Sequence, residues 1–287
     1  MIKKDDLFGI VVWYNPCEVN LSATDSYVNE VNKLIIVDNS DGDNSHLIEQ
    51  RGWANTIYLP NRQNKGIATA LNQGCRLALE QGAQWVLTMD QDSFFDNDGV
   101  KSLIQKANQY CNFNKTAIFS PRHNIEDEIT KDKVKPEYTI ENDVMTSGNL
   151  LSLAAFQATG DFLDDFFIDL VDLEYCIRIK KNGFLIVMIN DVTLHHFLGG
   201  GTYQTTFLGF KKSFYNHSPL RKYYIARNSL YVASLHKEQS KKYRKYLLKQ
   251  IKKVVLYDNC NKWIKLRYMI KGILDYRKGI KGPYSAN

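Results

Sequence analysis

The sequence predicts an α/β fold with a mostly parallel central sheet flanked by helices, followed by a basic helical appendage. Short apolar runs alternate with helical periodicity through residues 1–90, a pattern typical of βαβ units. Residues 237–287 hold 15 Lys or Arg against three acidic residues, whereas the preceding part of the chain carries 22 basic and 28 acidic residues. We therefore expect one domain over 1–215 and a separate helical region over 216–287.

The composition indicates a folded, cytoplasmic protein. The chain has 287 residues, of which 44% are hydrophobic and 12% aromatic, enough to bury a substantial core. Its five cysteines are scattered and lack CxxC spacing, which argues against a disulfide framework or a structural zinc site. No apolar run approaches the roughly 20 residues that a bilayer span needs, and the N-terminus lacks signal-peptide features. We expect a protein that is neither secreted nor membrane-spanning.

The elements of the first half follow from the spacing of apolar residues. The apolar runs are short and end at Asn, Asp or Pro, which predicts strands, and one longer segment keeps apolar residues at helical spacing. The predicted strands are Leu7–Tyr14, Leu34–Val37, Ile57–Leu59 and Trp85–Met89, and the predicted helix is Gly66–Glu80. Since parallel sheets bind ligands beyond the carboxyl ends of their strands, the residues at these ends are candidates for a binding site.

Asn15, Asp38, Asn64 and Asp90 all fall at such ends. Asp38 is placed to accept hydrogen bonds from a nucleotide base or ribose, although ordinary turn capping is the alternative. Gly66 begins a helix, where backbone N–H groups favour anions and a ligand can approach closely. Neither a Walker A nor a GxGxxG motif is present, so we expect a nucleotide site of another type.

Two aspartates follow the fourth predicted strand in the segment MDQDS. Residues i and i+2 of an extended segment project to the same side, so Asp90 and Asp92 can aim both carboxylates at one point. Such hard oxygen ligands suit Mg²⁺ or Mn²⁺, which keep further positions for water and substrate phosphates. The alternative is a solvated Asp-rich turn, because Asp96 and Asp98 follow closely.

The segment FFIDLVDLEYCIR combines acidic and apolar residues at helical spacing. Asp169 and Asp172 are expected on one helical stripe among apolar neighbours, where a carboxylate would gain the proton affinity of a general base. The alternative is that these acids, with Glu174, only favour the positive end of a helix that begins nearby. We expect Asp172 to be the base and Asp169 to support it.

Two further residues are candidates for contact with phosphate. His196 follows an apolar strand and precedes a glycine-rich stretch, and a neutral imidazole there could complete a metal shell or touch a phosphate. A buried histidine without a ligand is the ordinary alternative. Arg227 offers a bidentate phosphate contact, and an exposed helix face is its alternative.

The basic tail has two segments of amphipathic character. Such a helix pair is typical of a membrane-surface element attracted to anionic head groups, while the alternative is a helix pair that packs on the main domain. Nucleic acid is a weaker alternative, because no recognisable motif for it accompanies the charge. A homodimer through the tail stays open. The apolar positions are Leu247, Leu248, Ile251 and Val255, then Trp263, Leu266, Ile270, Ile273 and Leu274.

In these motifs the chain resembles the GT-A fold glycosyltransferases of family 2, and within them the bacterial rhamnosyltransferases. The resemblance rests on the order and spacing of segments over nearly the whole chain. These segments are VVWYNP, VDNS, NKGIATALNQG, MDQDS, TSGNLLS, FFIDLVDLEYCIR, HHFLGG and SPLRKYYIARNSLY.

The resemblance implies roles for individual residues. It places Asp90 and Asp92 as the metal-binding DxD pair, with Asp92 the more direct ligand, and Asp172 as the catalytic base. The Glu that usually precedes this base is replaced by Val171. His196 matches the histidine expected at the diphosphate or metal. The implied donor-site residues are Asn15, Asp38, Asn64, Gly66, Gln91 and Arg227, and the implied acceptor or sugar-binding residues are Ser147, Gly148, Asn149 and Asp169.

The activity implied is an inverting transfer of L-rhamnose from dTDP-L-rhamnose to a lipid-linked cell-surface polysaccharide, with Mn²⁺ or Mg²⁺, at the inner face of the cell membrane. A galactosyl- or glucosyltransferase that uses a UDP-hexose is the near alternative. A nucleotidyltransferase that makes a sugar nucleotide is another, but the N-terminal segment lacks the Gly-rich phosphate loop expected of it. A sugar-nucleotide-binding scaffold without catalysis is the third.

Overall fold

The computed structural model divides the chain into two compact units. It describes residues 1–125, 135–196, 202–207, 210–215, 217–258 and 261–285, and for 125, 196, 202–207 and 210–215 the backbone alone. The first unit comprises residues 1–162 and 175–197, and the second comprises 163–174 and 198–287.

A nine-stranded sheet forms the centre of the first unit. Its order is β3-β2-β1-β4-β8-β6-β9-β5, and β7 pairs with β9. The apolar side chains of β1, β2 and β4 are buried on both faces, as expected for strands covered by helices. The strands are β1 (Leu7–Trp13), β2 (Lys33–Asp38), β3 (Thr56–Pro60), β4 (Trp85–Asp90), β5 (Ser93–Phe95), β6 (Thr116–Ile125), β7 (Tyr138–Ile140), β8 (Asn149–Ser152) and β9 (Leu185–His196).

The two halves of the sheet differ in strand direction. Strands β1 to β4 pair in parallel, as the sequence predicts. Beyond them β8 pairs antiparallel with both β4 and β6, β6 and β9 are parallel, and β5 and β7 are antiparallel to β9. The predicted α/β fold is therefore confirmed, and the sheet is parallel throughout its first half but mixed in its second, where β5, β7 and β8 are the strands that run antiparallel to their neighbours.

Helices flank the strands of the first unit. The longest of them, α3, begins after Gly66, whose φ of +85° suits glycine. Gly74 lets α3 approach β1 closely, because a Cβ added there would lie 2.6 Å from the Ile10 side chain. The helices are α1 (Glu18–Asp25), α2 (Ser45–Arg51), α3 (Ile67–Glu80), α4 (Gly99–Gln109) and α5 (Leu153–Thr159); α6 (Val171–Lys181) begins in the second unit and continues in the first.

Three helices form most of the second unit: α7 (Pro219–Leu235), α8 (Ser240–Tyr257) and α9 (Lys262–Arg277). Ser218 caps α7 by accepting the N–H of Arg221, and Pro219 occupies its first turn.

Two strands, β10 (Thr202–Phe207) and β11 (Phe210–Tyr215), form an antiparallel pair. No helix in the described ranges is long and apolar enough to cross a membrane. The core shared by the three helices includes Ala226, Leu247, Val254 and Met269.

The division into units differs from the predicted boundary at residue 215. The helical region is present as expected, but the unit that contains it begins at residue 198 and also includes residues 163–174. The reason is a set of hydrogen bonds that join residues 165–169 to α7. Sequence spacing does not show such long-range bonds.

Candidate active site

The predicted strand-end residues of the first unit lie along one edge of the sheet. In the parallel register Trp13 of β1 pairs with Asp38 of β2, and Val12 pairs with Asp90 of β4. Asp38 and Asp90 therefore lie on either side of the carboxyl end of β1. In the sheet, β2 and β3 lie on one side of β1, and β4 lies on the other. Open α/β sheets bind ligands at such a reversal of the strand order, beyond the carboxyl ends of the strands.

Asp90 and Asp92 lie at the turn between β4 and β5, and both are half-buried. Burial raises the pKa of the neighbouring Tyr27, and the charges of Asp90 and Asp92 raise it further, so both carboxylates act on the same hydroxyl. The backbone of His196 in β9 pairs with Ser93, the residue after Asp92. Its side chain, predicted to bind metal or diphosphate, lies outside the described residues.

The turn offers two oxygen ligands to a hard cation. Within the described part of the chain no cluster of three or more His, Cys, Asp or Glu residues could hold a metal ion. Two half-buried carboxylates at i and i+2 nevertheless fit Mn²⁺ or Mg²⁺, because these ions take only one or two carboxylates when substrate phosphates and water supply the remaining ligands. The donor set therefore fits a metal that binds together with a diphosphate.

Gln91, between the two aspartates, ties the turn to the end of β1. Its amide oxygen accepts the N–H of Tyr14 at 2.8 Å, and its amide nitrogen donates to the Tyr14 carbonyl at 3.3 Å. The Gln91 carbonyl accepts a hydrogen bond from Asn20 at 3.2 Å. The Gln91 amide thus pairs with the backbone of Tyr14 and fixes the segment between the two aspartates, and its predicted contact with the donor stays a prediction.

Asp38 was predicted to bind a base or ribose, and its position contradicts a direct contact. The side chain is fully buried, and its carboxylate accepts hydrogen bonds from Ser40, Asn44 and Tyr58. These three bonds, of 2.7 to 2.9 Å, fix the loop that follows β2. The carboxylate therefore shapes the wall of the site and has no surface left for a ligand.

The other predicted donor-site residues surround that loop. Asn15 is exposed, has a φ of +48°, and donates its backbone N–H to the Ser40 hydroxyl at 2.7 Å. Asn64 is also exposed, and its side-chain oxygen accepts the N–H of Gly66 at 2.9 Å. Gly66 itself is buried, and its carbonyl accepts a hydrogen bond from Asn39 at 3.1 Å. Asn15 and Asn64 thus keep side-chain surface for a ligand.

The loop predicted to contact a sugar supports the end of β4. Ser147, Gly148 and Asn149 are all buried, and the Ser147 hydroxyl accepts the Asp90 N–H at 3.0 Å. Gly148 has a φ of +79°, and a Cβ there would lie 2.8 Å from the Pro121 ring. Direct sugar contact by the Ser147 and Asn149 side chains is therefore contradicted by burial, whereas Thr146 in the same loop is half-buried.

In the second unit, the predicted base belongs to the first turn of α6. Asp172 is half-buried, and its carboxylate accepts the N–H of Leu173 at 2.8 Å. The positive end of the helix favours the ionised carboxylate, which is the state that a base needs before it takes a proton. From α8, Tyr246 faces this region: burial raises its pKa to about 12, and the charges of Asp169 and Asp172 add to the effect.

Asp169 is not on the same helical stripe as Asp172, contrary to the prediction, because it precedes α6 and has a φ of +63°. Phe167 and Leu170 have φ values of +64° as well, so this short segment contains three residues in a conformation that side chains other than glycine rarely adopt. The Asp169 carboxylate is bound by Arg221, with N–O distances of 2.6 and 3.2 Å.

Asn228 and Arg227 hold this strained segment from α7. The side-chain nitrogen of Asn228 lies 2.9 Å from the carbonyl oxygens of Phe166, Ile168 and Asp169. Asn228 is fully buried, and the sequence did not predict that it would hold this segment. We call residues 164–170 the catalytic-helix loop, since they lead into α6.

Arg227 was predicted to contact a diphosphate, and its surroundings contradict this. The side chain is fully buried, and its guanidinium donates to Asn228, Tyr223 and the carbonyls of Gly282, Asp165 and Phe166. The rings of Tyr223 and Tyr224 also lie 5.3 and 5.0 Å from it. All five N–H groups are directed at protein acceptors, so none is left for phosphate.

A buried hydrogen bond between two side chains adds a second attachment for the first turn of α6. Glu174 and His236 are both buried, and their side chains lie 3.0 Å apart. His236 follows the end of α7, and Arg221 lies near its start. The two ends of α7 therefore bind α6 and the loop that precedes it, respectively. In the sequence, Glu174 was considered only as a charge that favours the start of a helix, and no local signal identified His236 as its partner.

Comparison with known proteins connects these features to one family. Residues 10–155 match the model of the family described as Glycosyl transferase family 2. A curated protein of Shigella flexneri, described as dTDP-rhamnosyl transferase RfbF, is 28% identical over 300 aligned positions, which cover 96% of each chain.

Solved structures show the same fold at low sequence identity. A crystal structure of GalNAc-T7 with UDP, GalNAc and Mn²⁺ has a TM-score of 0.59 at 12% identity, over 96% of this chain and 56% of that one. The crystal structure of S. aureus TarS has a TM-score of 0.51 at 13% identity, over 95% and 43%. The chain thus spans about half the length of these solved structures.

Proposed function

Because the chain belongs to glycosyl transferase family 2, we propose that it transfers L-rhamnose from dTDP-L-rhamnose to a hydroxyl group of a lipid-linked cell-surface polysaccharide. That it is a glycosyltransferase follows from the family. The choice of donor rests on the curated dTDP-rhamnosyl transferase, whose match covers 96% of each of the two chains. We propose that the enzyme acts at the cytoplasmic face of the membrane, where it could bind a lipid-linked acceptor.

The donor diphosphate would bind at the carboxyl ends of β1 and β4. Asp90 and Asp92 would hold Mn²⁺ or Mg²⁺ there, and a bound metal supplies positive charge for the diphosphate leaving group. The neighbouring structure with UDP and Mn²⁺ is consistent with this choice of cofactor. Asn15 and Asn64 would contribute exposed amide side chains beside the loop after β2 that Asp38 fixes. His196 remains a proposed further ligand.

The reaction we propose is a single displacement at the anomeric carbon. The ionised carboxylate of Asp172 accepts the proton of the acceptor hydroxyl, and the hydroxyl oxygen forms a bond to the anomeric carbon. The bond between that carbon and the diphosphate oxygen breaks at the same time, and the nucleoside diphosphate leaves with the bonding electrons. The anomeric configuration is inverted, and no covalent sugar–enzyme intermediate forms.

Calorimetric titration of the full chain with dTDP-L-rhamnose, dTDP, UDP-glucose, UDP-galactose and UDP, each with and without Mn²⁺, tests the donor. We expect Mn²⁺-dependent binding that favours the dTDP compounds, and a matching rise in thermal stability. Preference for one UDP-sugar would replace rhamnose with a hexose and keep the mechanism. Absence of binding by every nucleotide would overturn the proposed site at Asp90 and Asp92.

Replacement of the base tests the mechanism separately. Asp172→Asn should lower kcat by roughly 100-fold to 10,000-fold, the usual contribution of a general base, while donor affinity stays unchanged. The exposed Asp5, ahead of β1, provides the matched control as Asp5→Asn, which should keep near-normal turnover. A variant at position 172 that retains wild-type kcat would remove Asp172 from the mechanism.

A further inference from the structure

The apolar residues of α8 and α9 divide into a buried set and an exposed set. Leu247 and Val254 are buried in the helical core, and Ile251, Leu266 and Ile273 pack against it. All of these except Val254 were predicted to belong to the apolar faces of two amphipathic segments at a membrane surface, and in the structure they hold the helices together. The other apolar residues of α8 and α9 are exposed to solvent and form a second, separate set.

The solvent side of α9 carries a continuous apolar stripe. Trp263, Ile270 and Leu274 are 81%, 57% and 45% exposed, and their spacing of seven and four residues places them on one face. Arg267 lies between them on the same face and is also exposed. Arg277 and Lys278 continue the face at the end of the helix. The stripe therefore combines large apolar side chains with cations.

The exposed side of α8 has the same character. Leu248 is 66% exposed and Val255 43%, seven residues further along the helix. Eight of the fourteen exposed large hydrophobic residues in the described part of the chain lie between Leu248 and Ile280. That concentration separates these helices from the scattered apolar residues of an ordinary surface. The exposed lysines on this side are Lys241, Lys245, Lys249 and Lys252.

From these observations we propose that the exposed faces of α8 and α9 dock on an anionic lipid bilayer, with Trp263 and Ile270 inserted at the level of the head groups. A tryptophan favours this depth, since its ring is apolar and its N–H is polar. The lysines and arginines on the same faces would be attracted to anionic lipids. The proposal deepens the proposed function by bringing the enzyme to a lipid-linked acceptor.

The charges on these faces favour a bilayer over other partners. A second copy of the chain would bring the same rows of cations together, and like charges across an interface oppose association. Nucleic acid would neutralise the cations but would leave Trp263, Ile270 and Leu274 without an apolar partner. An anionic bilayer satisfies both the cations and the apolar side chains.

The four tryptophans of the chain provide a direct optical test. Trp13, Trp53 and Trp85 are at most 8% exposed, so a change in tryptophan emission upon membrane binding would report on Trp263. We would mix the full-length protein with vesicles of phosphatidylcholine, with and without phosphatidylglycerol. A blue shift of the emission and co-sedimentation are expected with the anionic vesicles alone, and both should decrease at high salt.

Variants separate the apolar and the charged contributions. Trp263→Ser should weaken co-sedimentation with the anionic vesicles, and the pair Arg267→Glu with Lys278→Glu should weaken vesicle binding by about tenfold or more. The matched controls are Ile140→Ser, which changes a residue 62% exposed in β7, and Lys115→Glu, an exposed lysine of the first unit. Neither control should alter vesicle binding.

Two outcomes would overturn the proposal. One is that anionic vesicles at low salt neither shift the emission nor sediment the protein. The other is that Trp263→Ser binds vesicles normally but converts a dimer to a monomer in size-exclusion chromatography with light scattering, which would make this face a contact between copies. Calorimetric donor binding, measured on the same preparations without vesicles, shows whether the donor site fails independently.

Discussion

Arg227 and Asn228 illustrate, at the scale of single residues, what the sequence could and could not predict. An arginine beside an asparagine near the end of a glycosyltransferase chain was interpreted as a phosphate ligand because of its charge. In the structure both side chains are fully buried and hold the catalytic-helix loop. Burial of an arginine depends on carbonyl groups supplied by residues about 60 positions away, which local sequence patterns do not reveal.

The strain in the catalytic-helix loop makes Asn228 the most informative residue to change. Asn228→Ala removes the shared donor of three carbonyl groups, and we expect a loss of about 2–3 kcal/mol in the free energy of unfolding. Because the loop leads directly to Asp172, kcat should fall more than the affinity for the donor changes. Denaturant unfolding and steady-state kinetics on the same preparations measure the two effects.

Ser234→Ala on the same helix is a suitable control, since the Ser234 hydroxyl donates only within α7, to the Tyr231 carbonyl. Ser234→Ala should leave the free energy of unfolding and kcat nearly unchanged. If Asn228→Ala lowered stability but left kcat at the wild-type value, the loop would have a structural role without influence on the base.

At the scale of elements, the sequence predicted the parallel strands well and the later ones poorly. Strands β1, β2 and β4 are apolar runs buried on both faces, so composition alone identifies them. The short β5, β7 and β8 have three or four residues each, too few for a periodic pattern. The helices α8 and α9 were predicted, but which of their apolar residues face the core depends on how the two helices pack against α7 and against each other.

The packing of α9 on α7 depends on Gly272. A Cβ at this position would lie 2.5 Å from the Tyr223 carbonyl oxygen and 3.2 Å from the Arg227 nitrogen, both backbone atoms that cannot move aside. Alanine usually stabilises the interior of a helix by up to about 1 kcal/mol relative to glycine. Here we expect Gly272→Ala to destabilise the protein by about 1–3 kcal/mol, because the two helices must separate.

Thermal unfolding of Gly272→Ala beside Gly42→Ala provides the comparison. Gly42 has no heavy atom within 4 Å of an added Cβ, and alanine is tolerated there without a steric penalty. An increase in melting temperature for Gly272→Ala would contradict the close approach of the two helices.

Lys222 gives α7 a dependence on pH. Burial, and then the charges of Lys253 and Lys265, lower the pKa of Lys222 from 10.5 to about 8. Between about pH 8 and pH 10 the unfolded chain therefore binds more protons at this residue than the folded chain does, so the contribution to stability rises with pH. We expect this rise, of about 1–3 kcal/mol, to be absent in Lys222→Met.

Denaturant unfolding across that pH range measures the free energy of unfolding of the wild-type protein and of Lys222→Met. Lys245→Met, which removes an exposed lysine of α8, should keep the wild-type dependence on pH. Parallel pH profiles of wild type and Lys222→Met would mean that Lys222 titrates near its ordinary value in the folded protein.

At the scale of the whole molecule, the sequence predicted the family and the fold, and both are confirmed. It also predicted a basic helical region behind an α/β domain, and the structure contains one. The extent of that region was not predictable, because residues 163–174 join it through hydrogen bonds from α7 and not through proximity in sequence. Bonds of that kind become apparent only when the chain has folded.

The assignment of residues 163–174 to the second unit has a consequence for recombination between related enzymes. A chimera with a single crossover at residue 215 would combine the loop before Asp172 from one parent with Arg227 and Asn228 from the other. The strained backbone of that loop would then be held by hydrogen-bond donors that were selected for the loop of the other parent. Functional hybrids should be enriched among libraries with breakpoints near residues 162, 174 and 197, so that the inherited blocks coincide with the units in space.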